Sequence, residues 1–129
     1  MAVPEWKDEY SVDGGMIDEQ HKKLISMIQE LHTAMIEGHG DEAVNSIMDQ
    51  LASYTEYHFS AEEEFMEQMN YPELESHKDQ HVYLTGEVFD VFTAIQDGQR
   101  DMAEDVFDFL NGWLINHILE TDMKIKGYI

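Results

Sequence analysis

Histidine and carboxylate are the side chains of this chain that could do chemistry together. The 129 residues include seven histidines and 28 Asp and Glu, but no cysteine. Without thiols the chain cannot form disulfides, thiolate zinc sites or iron–sulfur clusters, and it has no cysteine nucleophile. Any metal ion bound here must therefore be held by imidazole and carboxylate, and imidazole is a ligand that iron, zinc, copper and nickel all accept.

Two pairs of these side chains have the spacing of neighbours on one helical face. His58 and Glu62 are four residues apart, and so are His77 and His81. Residues at i and i+4 lie about one turn apart on the same side of a helix, so the second pair can chelate one metal ion. Each pair alone is a weak signal, because an ordinary core or surface pair has the same spacing.

His117 and Asp122 form a less regular pair. Five residues on an ideal helix leave Asp122 about 140° away from the face of His117. Asp122 can therefore join a common site only if the helix ends or distorts in the few residues before it. Two other histidines are expected outside any such site. His39 lies between glycines in a loop, and His32 is about 16 Å along the helix axis from His21.

The elements that must position these residues are helices. Apolar residues recur at three- and four-residue spacing in four segments, and none shows the sustained alternation of a strand. The segments cover about residues 18–37, 41–69, 72–96 and 101–120. Asp18 is expected to cap the first, Gly38 to end it, and Pro72 to lie near the first position of the third. The prediction is an all-α, antiparallel up-down four-helix bundle, a single domain over residues 1–129 with an irregular N-terminal arm over residues 1–17.

The alternating direction of the helices brings the candidate ligands to one end of this bundle. His21 lies early in the first helix and His58 late in the second. His77 and His81 lie early in the third, and His117 lies late in the fourth. Burying one unpartnered imidazole costs roughly 1–3 kcal/mol, so five on apolar faces at one level need a shared explanation. A metal centre that includes the two carboxylates above is that explanation.

The charge balance excludes several classes of partner. Seven Lys and Arg against 28 acids give a net charge of −21, which repels nucleic acids and anionic membranes. No apolar run reaches the roughly 18 residues of a membrane helix, and the acidic N-terminus lacks the pattern of a signal peptide. We therefore expect a cytoplasmic monomer without membrane insertion. Glu63 and Glu64, which follow Glu62, are expected on the solvated face.

Four short motifs contain all the candidate ligands. They are D-E-Q-H ending at His21, H-F-S-A-E-E starting at His58, H-K-D-Q-H from His77 to His81, and H-I-L-E-T-D from His117 to Asp122. In this order they resemble the hemerythrins, specifically the single-domain bacterial bacteriohemerythrins. Each motif alone is modest, but the ordered set is highly specific and the likeness covers nearly the whole chain.

The resemblance implies a non-haem di-iron centre with two iron ions (Fe²⁺/Fe³⁺). One iron would be bound by His77, His81 and His117, and the other by His21 and His58. Glu62 and Asp122 would bridge both ions together with an oxo or hydroxo group. The first iron then has six ligands and the second has five, which leaves one position open for dioxygen.

The resemblance also implies an apolar oxygen pocket that keeps water and protons away from the centre. The corresponding positions here are Leu24, Phe59, Trp113, Leu114 and Ile118. Ordinary core packing would place the same residues inside the bundle, and the two roles are compatible.

Reversible dioxygen binding, for oxygen carriage, storage or delivery to an oxygen-consuming enzyme, is the function that this resemblance favours. The chain is then not itself an enzyme. A di-iron oxidase or peroxidase is the first alternative, although such bundles use paired Glu-x-x-His motifs and four carboxylates, whereas this chain offers five imidazoles and two carboxylates. An oxygen or redox sensor is another, although 129 residues leave no room for an output domain. A metal-free acidic binding module is the last.

Overall fold

The computed structural model of the chain describes residues 4–96, 103–116 and 121–128. Within them lie a short 3-10 turn at Asp8–Tyr10 and five α-helices. These are α1 Met16–Ile36, α2 Gly40–Gln68, α3 Leu74–Gln96, α4 Ala103–Asn116 and α5 Met123–Lys126. The described residues contain no strand. Helices α1 to α4 form the antiparallel four-helix bundle, which confirms the predicted all-α fold class. Residues 101, 102 and 117–120 of the predicted fourth helix lie outside the described residues.

The interior of the bundle differs between its two ends. At the end where α1 finishes and α2 begins, the interior side chains are apolar and buried. We call this set the distal core: Leu31, Val44, Met48, Val106 and Phe107. Fully burying an apolar side chain of this kind stabilises the fold by about 1.5–3 kcal/mol. At the opposite end, which we call the site end, histidine and carboxylate side chains take interior positions, and a second buried apolar cluster lies beside them: Val12, Ile17, Met66, Tyr71 and Ile125.

The start of α1 is set by Asp13 rather than by Asp18. The helix begins at Met16, and the Asp13 carboxylate accepts hydrogen bonds from the backbone N–H groups of Gly15, Ile17 and Asp18. Asp13 therefore satisfies the donors that a helix N-terminus leaves open. The predicted capping role of Asp18 was wrong, because α1 begins at Met16, two residues before the start that the apolar pattern indicates.

Asp18 instead fastens the N-terminal arm to α1. Its buried carboxylate accepts hydrogen bonds from the Ser11 hydroxyl, from Val12 N–H at 2.7 Å and from Gly14 N–H at 3.0 Å. Further along the arm, Gln29 donates a side-chain hydrogen bond to the Pro4 carbonyl at 2.8 Å. The arm is thus tied to α1 immediately before the turn that carries the first histidine of the site.

Helices α1 and α2 end in the same way. Gly38 has φ +82° and Asn70 has φ +55°, and each follows the last residue of its helix by two positions. His39 N–H donates to the Ala34 carbonyl and Tyr71 N–H donates to the Met66 carbonyl, which is the Schellman pattern of a left-handed residue closing a helix. The predicted stop at Gly38 is confirmed.

The link into α3 is a tight turn. Leu74 N–H donates to the Tyr71 carbonyl at 3.3 Å, which places Pro72 at the second position of the turn, where its fixed φ is favoured. The predicted place of Pro72 in the first helical turn was wrong by two residues, since α3 begins at Leu74. No described helix is both long and apolar enough to cross a membrane.

Candidate metal centre

Six ionisable side chains meet inside the site end, and none is more than 4% exposed. They are His21 from α1, His58 and Glu62 from α2, His77 and His81 from α3, and Asp122 just before α5. Their ligand atoms form two groups, each with all atoms within 4.8 Å of one another. The first group contains His21 and His58, the second contains His77 and His81, and both contain the two carboxylates. The other predicted ligand, His117, lies outside the described residues.

The Glu62 carboxylate divides its two oxygens between the histidine pairs. Oε1 lies 2.7 Å from His77 Nε2 and 3.0 Å from His81 Nε2. Oε2 lies 3.3 Å from His58 Nε2 and 3.8 Å from His21 Nε2. One oxygen therefore faces the α3 pair, and the other faces the pair from α1 and α2.

Asp122 repeats this division across the same two groups. Its Oδ2 lies 2.7 Å from His21 Nε2, and its Oδ1 lies 3.1 Å from His77 Nε2. Both carboxylates thus span the cluster in the same sense. A carboxylate with one oxygen toward each of two neighbouring positions is the arrangement that bridges a pair of metal ions.

A local distortion of the helix accompanies the buried position of Asp122. Residues 121 and 122 are in a π-helical conformation, and α5 follows directly. A π turn inserts an extra residue into the helical repeat and often occurs at functional sites. The spacing of His117 and Asp122 predicts that Asp122 joins the site only if the helix ends or distorts just before it. The π-helical residues 121 and 122 are such a distortion.

The protonation of the cluster follows from its charge. Burial tends to raise the pKa of Glu62, but hydrogen bonds from the surrounding imidazoles outweigh it and hold that pKa well below its usual value. Burial tends to lower the pKa of His21 and His77, yet hydrogen bonds with Asp122 and Glu62 raise both to about 9. The carboxylates therefore favour positive charge on the imidazoles beside them, and a metal cation can supply that charge in place of protons.

The donor set fits metal binding on two grounds. Buried Glu62 Oε2 has only long contacts of 3.3 Å to His58 Nε2 and 3.8 Å to His21 Nε2 in the described part of the chain, and a poorly satisfied buried carboxylate oxygen is costly. Imidazole nitrogens and carboxylate oxygens are also suitable ligands for a borderline divalent ion such as Fe²⁺. A pair of ions would satisfy the inward-facing oxygens of both carboxylates at once.

Two further residues hold the histidines from outside the cluster. His58 Nδ1 donates a hydrogen bond to the Gln20 side-chain oxygen at 2.7 Å. His81 Nδ1 donates to the Glu63 carboxylate, also at 2.7 Å. With Nδ1 held on the outer side of each ring, Nε2 faces Glu62 and the interior of the cluster.

Sequence reasoning missed both of these outer contacts. Glu63 was predicted on the solvated face; its side chain is 28% exposed, but its carboxylate contacts His81, which the prediction missed. Glu64 is exposed, as predicted. The available signal was adjacency, since Gln20 precedes His21 and Glu63 follows Glu62 in the chain. A residue next to an inward-facing ligand points about 100° away, toward a neighbouring helix.

The predicted apolar pocket residues are buried within the described part of the chain. Leu24, Phe59, Trp113 and Leu114 are each at most 4% exposed and belong to one apolar cluster. The Phe59 ring stacks on the His81 ring, with 3.9 Å between centroids and 4° between planes. Ile118 lies outside the described residues. The apolar contacts therefore extend up to the ligand rings themselves.

The two remaining histidines are absent from both ligand groups found among the described residues. His39 is exposed, with Nδ1 3.7 Å from Glu42, which confirms the expected surface position. His32 is partly buried and packs on Phe107 of the distal core, with 5.3 Å between ring centroids.

The fold and the cluster together define a class: a four-helix bundle with a buried histidine–carboxylate cluster suited to metal binding. A family model described as the hemerythrin HHE cation binding domain matches residues 15–129. The chain belongs to the hemerythrin family.

Curated relatives and a solved structure agree with this family. The chain is 34% identical to the bacteriohemerythrin of Stenotrophomonas maltophilia (strain R551-3) over 129 residues, which covers all of this chain and 83% of the relative. It is 31% identical to the bacteriohemerythrin of Methylococcus capsulatus over 128 residues, which covers 98% and 96%. The crystal structure of a wild-type hemerythrin is 28% identical and superposes with a TM-score of 0.85, covering 98% of this chain and 97% of that one.

Proposed function

We propose that the chain binds dioxygen reversibly at a non-haem di-iron centre, for oxygen carriage, storage or delivery to an oxygen-consuming enzyme. The observation that carries this proposal is the division of the Glu62 and Asp122 oxygens between two histidine pairs. Two carboxylates placed in this way suit two metal ions rather than one.

The proposed ligands follow the two groups in the cluster. His77 and His81, together with His117, would hold one iron, and His21 and His58 would hold the other. Glu62 and Asp122 would bridge them alongside an oxo or hydroxo group. When bound, a ferrous pair supplies two electrons to dioxygen and recovers them when dioxygen leaves. With His117 included, three imidazoles would hold the first iron and two the second, so an exogenous ligand would bind on the His21 and His58 side.

The chain's own contribution to reversibility is the exclusion of water. Leu24, Phe59, Trp113 and Leu114 are buried, and with Ile118 they are proposed to line the oxygen pocket. An apolar lining supplies no proton and no nucleophile, which disfavours irreversible oxidation of the centre. The donor set supports the same conclusion, because oxygen-activating di-iron bundles use more carboxylates and fewer imidazoles.

The test is the oxygen dependence of the spectrum of the purified protein. We expect two irons per chain by elemental analysis and an absorption change on exposure of the reduced protein to oxygen. That change should reverse when oxygen is removed. One metal per chain, or zinc in place of iron, would contradict the di-iron assignment. Irreversible oxidation with release of peroxide would instead favour an oxidase or peroxidase.

A pair of histidine variants supplies the matched control. His77→Ala removes one of a chelating pair and should lose iron. His39→Ala removes an exposed histidine whose Nδ1 lies 3.7 Å from the surface residue Glu42, and it should retain two irons. Full iron occupancy in His77→Ala would contradict the ligand assignment.

A further inference from the structure

The two halves of the cluster are supported from outside by side chains of different charge. His58 is held by the Gln20 amide, which is neutral and buried, whereas His81 is held by the Glu63 carboxylate, which is partly exposed. Both hydrogen bonds measure 2.7 Å. The difference between them is therefore one of charge and exposure and not of length.

The charge of the acceptor matters for what His81 offers at Nε2. A carboxylate that accepts the Nδ1 proton fixes the tautomer and also makes the imidazole a stronger donor to a metal. An amide oxygen fixes the tautomer just as well but draws the proton less strongly, since hydrogen bonds to ionised groups are about twice as strong as neutral ones. His81 is thus the better supported ligand of the two.

Helix α2 makes three of the contacts that orient the His81 ring. Glu63 accepts the Nδ1 proton and Phe59, one turn earlier, stacks on the ring face. Between them, Glu62 meets the Nε2 atom at 3.0 Å. One stretch of α2 therefore contacts the ring at both nitrogens and on its face, which leaves little freedom for the ring to turn.

We propose that Glu63 is a positioning residue that strengthens His81 as a ligand, so that metal binding in the His77 and His81 half depends on the Glu63 charge. Gln20 orients His58 in the other half in the same way, but its amide is neutral and adds no charge. This inference rests on the proposed two-metal site. It extends that proposal by naming two residues outside the ligand set and assigning each to one half.

The experiment is an anaerobic calorimetric titration of metal-free full-length protein with Fe²⁺. It compares the wild type with four variants. Glu63→Ala removes both the charge and the hydrogen bond, and it should weaken one of the two binding steps by about 10–100-fold. Glu63→Gln keeps an acceptor oxygen and should fall between the wild type and Glu63→Ala. Gln20→Ala should weaken the other step. Glu64→Gln changes an exposed neighbour on α2 and should leave both steps as in the wild type.

A second readout separates positioning from a general effect on the fold. In protein loaded with Co²⁺, ring N–H protons of bound histidines give strongly shifted NMR signals. Glu63→Gln should move one of these signals, and Gln20→Ala should move a different one. The thermal unfolding midpoint of the metal-free Glu63→Gln protein should stay close to that of the wild type, since a partly exposed side chain is replaced by one of the same shape.

The outcomes distinguish this inference from the proposed function. A wild-type protein that takes up fewer than two ions would contradict the two-metal site itself. If the wild type binds two ions and Glu63→Ala binds them equally well, the role of Glu63 is overturned but the two-metal site is not. An equal loss in both steps together with a lower unfolding midpoint would also overturn it, because Glu63 would then act on the fold rather than on one half of the centre.

Discussion

The two ends of the bundle use the same helices for opposite purposes. In the distal core, α1, α2 and α4 bury apolar side chains whose removal from water stabilises the fold. At the site end the same helices, with α3, bury carboxylates and imidazoles, which cost free energy unless each charge has a partner. The comparison teaches that the ionisable side chains are concentrated at one level of the bundle, whereas the distal core contributes to stability without them. Changes at one level should therefore leave the other largely intact.

The largest expected effect is on stability, from a change in the distal core. Phe107 is fully buried, and Phe107→Ala should lower the free energy of unfolding by about 3–5 kcal/mol. Chemical denaturation of the metal-free protein measures this. Phe89→Ala, at a position that is 41% exposed, is the control and should have a much smaller effect. The folded Phe107→Ala protein should still bind two irons, and loss of iron from it would break the separation of the two ends.

The converse change should remove binding. Glu62→Gln keeps the shape of the side chain but replaces the bridging carboxylate with an amide, so both metal steps should weaken by more than about 100-fold. A metal that binds only the native state raises the unfolding temperature. Added Fe²⁺ should therefore raise it in the wild type and in the exposed control Glu64→Gln, but not in Glu62→Gln. A metal-dependent rise that persists in Glu62→Gln would contradict the bridging role.

Asp18 tests whether the N-terminal arm belongs to the stability of the site end. Burial tends to raise the pKa of Asp18, but hydrogen bonds from Ser11, Val12 and Gly14 outweigh it and lower that pKa. A pKa lowered by folding gives stability that is present above the unfolded value, near 3.9, and is lost as the pH falls through the folded value. Asp18→Asn should therefore cost about 1–2 kcal/mol at neutral pH, since hydrogen bonds to a charged group are weakened.

The pH dependence of that cost is the sharper measurement. The stability difference between the wild type and Asp18→Asn should shrink as the pH falls below about 4, because the wild-type carboxyl becomes neutral. Asp79→Asn, at an exposed position of α3, is the control and should show little difference at any pH. A cost for Asp18→Asn that stays constant down to low pH would show that shape, and not charge, holds the arm.

Asp18 also marks how far sequence reasoning could reach. Apolar periodicity predicted the four helices and the bundle, because burial of one face is the main signal of a helix. It misplaced the start of α1, because the capping residue Asp13 precedes the periodic region and its role depends on the turn around Gly14. Apolar periodicity indicates which face of a helix is buried, but it does not indicate the hydrogen bonds that fix where the helix begins and ends.

At the candidate site, too, sequence reasoning predicted the residues on single helices but not the contacts between helices. Spacing along single helices predicted that His58 lies beside Glu62 and His77 beside His81. The alternating direction of the helices predicted that both pairs lie at the same end of the bundle. Spacing alone could not give the contacts of Gln20 and Glu63, because these cross from one helix to another. Their geometry depends on how the helices are rotated against each other. Tertiary packing fixes that rotation, and no local pattern encodes it.

The smallest expected effect is on the rate of autoxidation, and it concerns a leucine that contributes both to the core and to the proposed pocket. Leu114 and Leu31 are both fully buried, so replacing either with alanine should cost a similar 2–5 kcal/mol of stability. Only Leu114 is proposed to shield the centre from water. Leu114→Ala should therefore speed the autoxidation of oxygenated protein by about tenfold, equivalent to 1.4 kcal/mol in the barrier, while Leu31→Ala should leave the rate near that of the wild type. Absorbance decay at a temperature where both variants remain folded measures the two rates. Equal acceleration in both variants would attribute autoxidation to general loosening of the bundle, and an unchanged rate in Leu114→Ala would remove this leucine from the pocket.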